Sequence, residues 1–179
     1  NAECIYDRFV MQNTEGIPGH PEIELALLRL YRLTENKHFL ELAKKFIDER
    51  GKAPDFWARE AKKRSWSVWN SDPWDNDYRQ SAKPVREQTE AVGHAVRAVY
   101  LYTGMADLAA ETEDKELFAA CRRLWENIVH RKMYITGGIG STVQGEAFTV
   151  DYDLPPDTAY SETCAAIGLI FFAEKMLEN

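Results

Sequence analysis

Glu146 and Glu162 are the residues of this chain whose type and spacing best suit chemistry. They flank a glycine- and proline-rich loop within MYITGGIGSTVQGEAFTVDYDLPPDTAYSETC, residues 133–164, and Cys164 follows the second carboxylate by two positions. A loop this long with little apolar periodicity is ordered for a reason, and binding or catalysis is the common one. Glu162-Thr163-Cys164 opens a very apolar helix, so a carboxylate and a thiol meet at a helix start. That position favours anionic groups, including the thiolate form of cysteine that binds metal. The plain alternative is a solvated loop followed by an acid at a helix N-terminus.

Two histidines extend the candidate set. His20 opens the first inner helix within Pro18-Gly19-His20-Pro21-Glu22, and His94 follows Gly93 in REQTEAVGHAVRAVYLY. Glu87, Glu90 and His94 recur at helical spacing, which puts Glu90 and His94 on one helix face. One such histidine alone reads as a satisfied structural residue; two at equivalent ends of inner helices point to a shared cavity. His38 and His130 fall near turns of outer helices and read as exposed. Trp57, Trp66, Trp69 and Trp74 crowd a charged segment, residues 55–78. Aromatics placed so either stack on sugar faces or anchor the loop to the core.

Several motifs are absent. Gly137, Gly138 and Gly140 lack a following Gly-Lys-Ser/Thr, which argues against a phosphate loop. Neither a Gly-x-Ser-x-Gly elbow nor a His-Glu-x-x-His zinc helix occurs. Cys164 has no second cysteine nearby, so a four-ligand structural zinc site cannot be assembled locally.

The elements that must position these residues are helical, and an all-α fold is expected. Ile23, Ala26, Leu27, Leu30 and Tyr31 form one stripe; Phe39, Leu42, Ala43, Phe46 and Ile47 form another that stops at Gly51. Val92, Ala95, Val96 and Val99 mark a third helix, and Leu117, Phe118, Cys121, Leu124, Trp125 and Ile128 a fourth, with Cys121 in the core. A fifth runs from about Glu162 to Leu177; its stretch 165–173 is uninterruptedly apolar and is expected among the most buried. Tyr134-Ile135 and Phe148-Val150 are the only candidates for local strand pairing.

An internal repeat sets the architecture. Leu30-Tyr31-Arg32-Leu33-Thr34 matches Val99-Tyr100-Leu101-Tyr102-Thr103, and FLELAKKF at 39–46 matches LFAACRRL at 117–124. MADLAAETED reads as a longer connection in the second copy. Repeated helix pairs stack because one pair cannot bury its own apolar face. Wound in a circle they form a double-layered helical toroid, and wound openly a solenoid. Two pairs and half of a third fall short of a closed ring, so residues 1–179 are expected to be one partial domain, a fragment of something larger. Raw apolar edges of such a fragment favour self-association.

Composition narrows the partners. The chain has 179 residues, 45% hydrophobic and 28% charged, enough for one sizeable core. A net charge of -7 argues against a nucleic-acid partner. No apolar run approaches the roughly 20 residues of a membrane span, and the N-terminus lacks the order of a signal peptide. Cys4, Cys121 and Cys164 are odd in number and far apart, which fits a reduced, cytoplasmic setting.

Three blocks resemble a known family in its own order: residues 16–51, residues 84–103 (PVREQTEAVGHAVRAVYLYT) and residues 133–171. They are similar to the catalytic domain of glycoside hydrolase family 127, the β-L-arabinofuranosidases of bacteria. The resemblance implies an (α/α)6 barrel, retaining hydrolysis of terminal β-L-arabinofuranosyl residues from a carbohydrate substrate, and zinc. It implies Glu146 of Gly-Glu-Ala-Phe as general acid/base, Glu162 and Cys164 as zinc ligands, and His20 and His94 as substrate-pocket residues. The nucleophile it implies is a zinc-bound cysteine of a downstream Cys-Cys pair, which this sequence does not contain. Ala82 also departs from the pattern, where a histidine precedes the Lys-Pro-Val position.

The general acid role asks for a carboxyl with a raised pKa in a partly desolvated cavity. With two of the four ligands usual for zinc, weak or no zinc binding by this chain is expected, and no hydrolysis. Two other functions stay open: a helical-toroid sugar epimerase or isomerase using His20 and His94 for proton transfer, and a helical-repeat binding module without chemistry.

Overall fold

The computed structural model describes residues 1–67 and 71–178, so Trp69 lies outside the described residues. Among the described residues there are seven α-helices: α1 (Ala2–Tyr6), α2 (Ile23–Thr34), α3 (Lys37–Glu49), α4 (Phe56–Arg64), α5 (Ala95–Thr112), α6 (Lys115–Asn127) and α7 (Thr163–Glu178). No β-strand occurs among the described residues, only isolated bridges joining His94 to Ala147, Met133 to Ile139 and Thr142 to Ala147. None of the described helices is long and apolar enough to cross a membrane.

The repeat survives in the backbone. Glu35 ends α2 in the left-handed region, and Asn36 then caps α3 by accepting from His38 N at 3.1 Å. At the matching place Glu113 ends α5 left-handed, and Asp114 caps α6 by accepting from Leu117 N at 2.9 Å. Such two-residue corners reverse the chain, so each inner helix is answered by an antiparallel outer one. MADLAAET is therefore no connection: residues 105–112 continue α5, and Met105, Ala106, Leu108 and Ala109 are buried. Gly104 is tolerated inside this helix because a methyl group there would meet Glu24 Cβ at 3.2 Å, where α2 crosses α5.

Helix α5 is the hub, packing on α2, α3, α6 and α7. The stripe of α3 is buried as its period predicts. The buried face of α2 is instead Glu24, Leu27 and Leu28, while Ala26 and Leu30 face out. Glu24 displaces the expected face because α3 sends the fully buried Arg50 against it, 3.8 Å away. Asp107 of α5, also buried, gathers Arg32 of α2 at 2.9 Å and Lys175 of α7 at 3.5 Å. Three inner helices are thus joined through one carboxylate. Cys121 lies in the core, and no disulfide occurs among the described residues.

The expectation for α7 needs correction. Ala165, Gly168, Leu169 and Phe172 are buried on α5, but Ile170 is 65% exposed, and Ile167 and Phe171 lie open beside it. Gly168 permits the close approach, since a methyl group there would strike Val99 Cγ2 at 2.4 Å. The helix is apolar all round, yet among the described residues its neighbours are α5 and, through Phe172 edge-on to Trp125, α6.

Candidate active site

The N-terminal ends of α2, α5 and α7 meet around one loop, residues 139–149. Gly140, at φ +83°, brings this loop against Ala95 at the start of α5. Ser161 N donates to Gly140 O at 2.9 Å and Tyr160 N to Ser141 O at 3.4 Å, which lays the Tyr160–Glu162 segment alongside. Ala147 N donates to Thr142 O at 3.1 Å, closing a small ring of chain that carries Glu146 at its tip. Phe148 N donates to Gly93 O at 2.9 Å and ties that ring to the entrance of α5. Glu146 itself has φ +52°, a left-handed conformation uncommon for its type and held only by such surroundings.

His94 is not inside a helix on a face shared with Glu90. It caps α5 from outside, its Nδ1 accepting from Arg97 N at 3.2 Å. Gly93, at φ +69°, breaks the helical path before it, and Glu87 lies in a separate 3-10 turn, Val85–Glu87. The cap has a chemical consequence. An Nδ1 that accepts carries no proton, so the neutral ring is protonated at Nε2 and donates from there to Glu146 Oε2, 2.8 Å away. Burial pushes the His94 pKa below its ordinary value, against the pull of Glu146, which keeps the ring neutral.

Tyr160 donates its hydroxyl to the other carboxylate oxygen, Glu146 Oε1, at 2.8 Å. The Tyr160 hydroxyl foremost holds the Glu146 carboxyl below the usual carboxylate range; burial comes next and opposes it, and His94 adds to the lowering. The raised pKa expected of it is absent in the free site. Its side chain is 41% exposed, and two donors converge on it. Glu146 is a charged carboxylate here, with both oxygens engaged.

His20 joins the cluster, its ring centre 6.0 Å from that of His94 and 6.1 Å from that of Tyr100. Consecutive carbonyls hold it there: Arg50 Nη2 donates to Pro18 O at 2.7 Å and Arg97 Nη1 to Gly19 O at 2.6 Å. Burial first, then chiefly the charge of Arg97, pushes His20 down to about 4. Unfolded histidine titrates near 6.5. Between these values the unfolded chain binds more protons than the folded one, so stability falls as pH drops from about 6.5 towards 4. With a side chain 34% exposed, screening reduces the effect to about 1–2 kcal/mol. Thermal midpoints measured against pH should show this slope, and His20→Gln should flatten it; an equally steep His20→Gln profile rules His20 out as the source.

Glu162 lies with this group, offering an oxygen within 4.8 Å of ligating atoms of His94 and Glu146. Its Oε2 is closed off from solvent without a hydrogen-bond partner. An orphaned carboxylate oxygen beside a thiol fits a cation. The helix start does not make Cys164 a thiolate on its own: burial and then the neighbouring Glu162 carboxylate raise its pKa, outweighing the backbone N–H groups. Metal coordination reverses that balance. His94 fits such a site poorly, because ligation through Nε2 moves its proton to Nδ1 and destroys the cap on α5.

Tyr160, Tyr78, Arg97 and Gln80 escaped sequence reasoning. Gln80 Nε2 donates to Val92 O at 2.9 Å and His94 O at 3.2 Å, fixing the turn that presents His94. Nothing in the spacing of DTAYSETC marks Tyr160; the 140–141 pairing alone brings it to Glu146. Gly93-His94 did carry a readable signal, a glycine break followed by a capping side chain.

The family model for "Beta-L-arabinofuranosidase, GH127 catalytic domain" matches residues 3–179. This chain belongs to that family. A "Non-reducing end beta-L-arabinofuranosidase" of Bifidobacterium longum subsp. longum is 45% identical over 186 residues, covering 99% of this chain and 28% of the relative. Among solved structures, a GH127 beta-L-arabinofuranosidase from Geobacillus stearothermophilus T6 superposes with a TM-score of 0.91 at 49% identity, over 99% of this chain and 28% of the other. A second, described as a GH127 beta-arabinofuranosidase, gives 0.83 at 43% identity over 98% of this chain and 25% of the other. The GH127 chain thus spans little more than a quarter of the relatives' length, and its helices form part of an (α/α)6 barrel.

Proposed function

We propose that this chain forms the acid/base side of a glycosidase that releases terminal β-L-arabinofuranosyl residues, with Glu146 as the proton-transferring group. The observation that carries the reading is the grip of His94 and Tyr160 on both oxygens of Glu146, with Glu162 less than 5 Å away. Glu146 protonates the leaving oxygen as the glycosidic C–O bond breaks, and later takes a proton from the attacking water. A bound sugar that covers the carboxylate excludes water and raises its proton affinity, supplying the acid form that the free site lacks. His20 and His94, both neutral, line the sugar's pocket. The attacking group lies outside this chain, which has no Cys-Cys pair.

The epimerase reading fits less well. Both ring nitrogens of His94 are engaged, one by the α5 cap and one by Glu146.

Glu162 and Cys164 would hold zinc, which when bound keeps a thiol ionised at neutral pH. Only two ligands come from this chain, so binding here is weak. Cobalt(II) titration should give a thiolate-to-metal charge-transfer band that Cys164→Ser abolishes. His94→Asn, which keeps a good capping residue, should leave the band in place; its loss in that variant would make His94 a ligand.

The reading as a whole is tested by hydrolysis of aryl β-L-arabinofuranoside. A polypeptide of the relatives' length carrying this segment should cleave it. Exchange at a sugar carbon without bond cleavage would reject the assignment.

A further inference from the structure

Next to the Glu146 loop lies a cavity of about 410 Å³, bounded by the N-terminal segment around Glu15–Ile17 and by α4. Small-ligand sites span roughly 300–1,000 Å³. Trp57, Trp66, Tyr78, Arg79 and Arg97 are among its walls. Trp57 is fixed in place, its Nε1 donating to Ser81 Oγ at 3.0 Å. Trp66 keeps 57% of its surface in water, an unfavourable placement for a large apolar ring. The Arg79 guanidinium lies 5.4 Å from the Trp57 ring centre and 5.5 Å from that of Tyr78, and Arg97 lies 4.9 Å from the Tyr78 ring centre. Arg79 is itself held, donating to Asp72 O, Asp75 O and Ser71 Oγ, so the walls offer ring faces fixed in place, which suit the C–H face of a saccharide.

The cavity and the catalytic site share a wall. Tyr78 meets His94 edge-on with ring centres 5.6 Å apart, and a methyl group at Gly145 would touch the Tyr78 ring at 3.5 Å. Tyr78 therefore faces Glu146's loop on one side and the cavity on the other. Arg97 spans the same boundary: its backbone N–H meets the His94 ring, while its side chain lines the cavity, with Nε buried and without an acceptor.

We propose that this cavity is a second sugar-binding subsite, taking the leaving-side residue of the glycan, with Trp66 as its stacking platform and Tyr78 at the junction. The proposal rests on the glycosidase reading, since it assumes that the terminal sugar occupies the space at Glu146.

Calorimetric titration of the chain with methyl β-L-arabinofuranoside and with an arabinofuranosyl disaccharide tests it. The disaccharide should bind about tenfold more tightly than the methyl glycoside and should shift tryptophan emission. Trp66→Ala, a change at an exposed ring, should reduce that ratio to about twofold or less. A wild-type ratio near one, or a ratio that Trp66→Ala leaves unaltered, overturns the subsite. The methyl glycoside tests the parent reading separately: if His94→Asn does not weaken its binding, the terminal sugar is not held beside Glu146, whatever the ratio. Failure of both sugars to bind overturns both.

Discussion

Replacing Glu146 by Gln, in a polypeptide of the relatives' length, should slow hydrolysis of an arabinofuranoside with a poor leaving group by about 10²–10⁴-fold. The change keeps the side chain's shape and removes its proton exchange. It also breaks the pattern around it, because His94 Nε2 and Tyr160 OH both donate and an amide offers them only one acceptor. An activated leaving group needs no proton, so the step that breaks its bond should be partly restored in the same variant. Steady-state and pre-steady-state rates on the two substrate classes separate these effects. Wild-type turnover of the unactivated substrate by Glu146→Gln would move the proton transfer to another residue.

Gly93→Ala should destabilise the fold by about 2–5 kcal/mol, through strain and overpacking together. Gly93 has φ +69°, and a methyl group built there falls 2.0 Å from Asp77 O. Backbone must move, and the backbone concerned is the turn whose carbonyls Gln80 holds and from which His94 caps α5. The variant should therefore lose both stability, read by denaturant unfolding, and the His94–Glu146 contact, read in the ring's NMR shifts. Gly19→Ala is the control, since nothing lies within 4 Å of a methyl group at that position. Equal stability of the two variants would mean that the turn at Gly93 is far more pliable than its contacts imply.

Much of the fold was legible where one physical cause dominated. The stripe of α3 reads plainly because Phe39, Leu42, Ala43, Phe46 and Ile47 all meet the same core. The stripe of α2 misled because a carboxylate, Glu24, occupies a core position whose compensating charge, Arg50, comes from another helix. A helix apolar on every side, such as α7, gives no sign in its own residues of which face finds a neighbour. At the site, residue types named Glu146, Glu162, Cys164, His20 and His94, and the fold brings His20, His94, Glu146 and Glu162 together. Protonation was not legible. Whether Glu146 is charged depends on Tyr160 and His94, neither of which has any sequence relation to it. Glu90 instead receives Lys132 Nζ at 2.6 Å, far from the role that helical spacing suggested.

The two tight corners, Glu35–Asn36 and Glu113–Asp114, lie at the opposite ends of α2 and α5 from His20 and His94. Each corner uses a left-handed residue and an immediate cap, so an inserted residue there separates the pair and loses both. The connections at the other end are long, and outside the Gly93 turn and the tied loop that carries Glu146 they hold no such paired device; lengthening a loop costs only about 0.6 kcal/mol per doubling. One rim of the helical layers is therefore closed to changes in length, while the other can vary in the stretches between its fixed points. Insertions and deletions in those stretches reshape the rim beside Glu146 with the stacking of the helices left as it is.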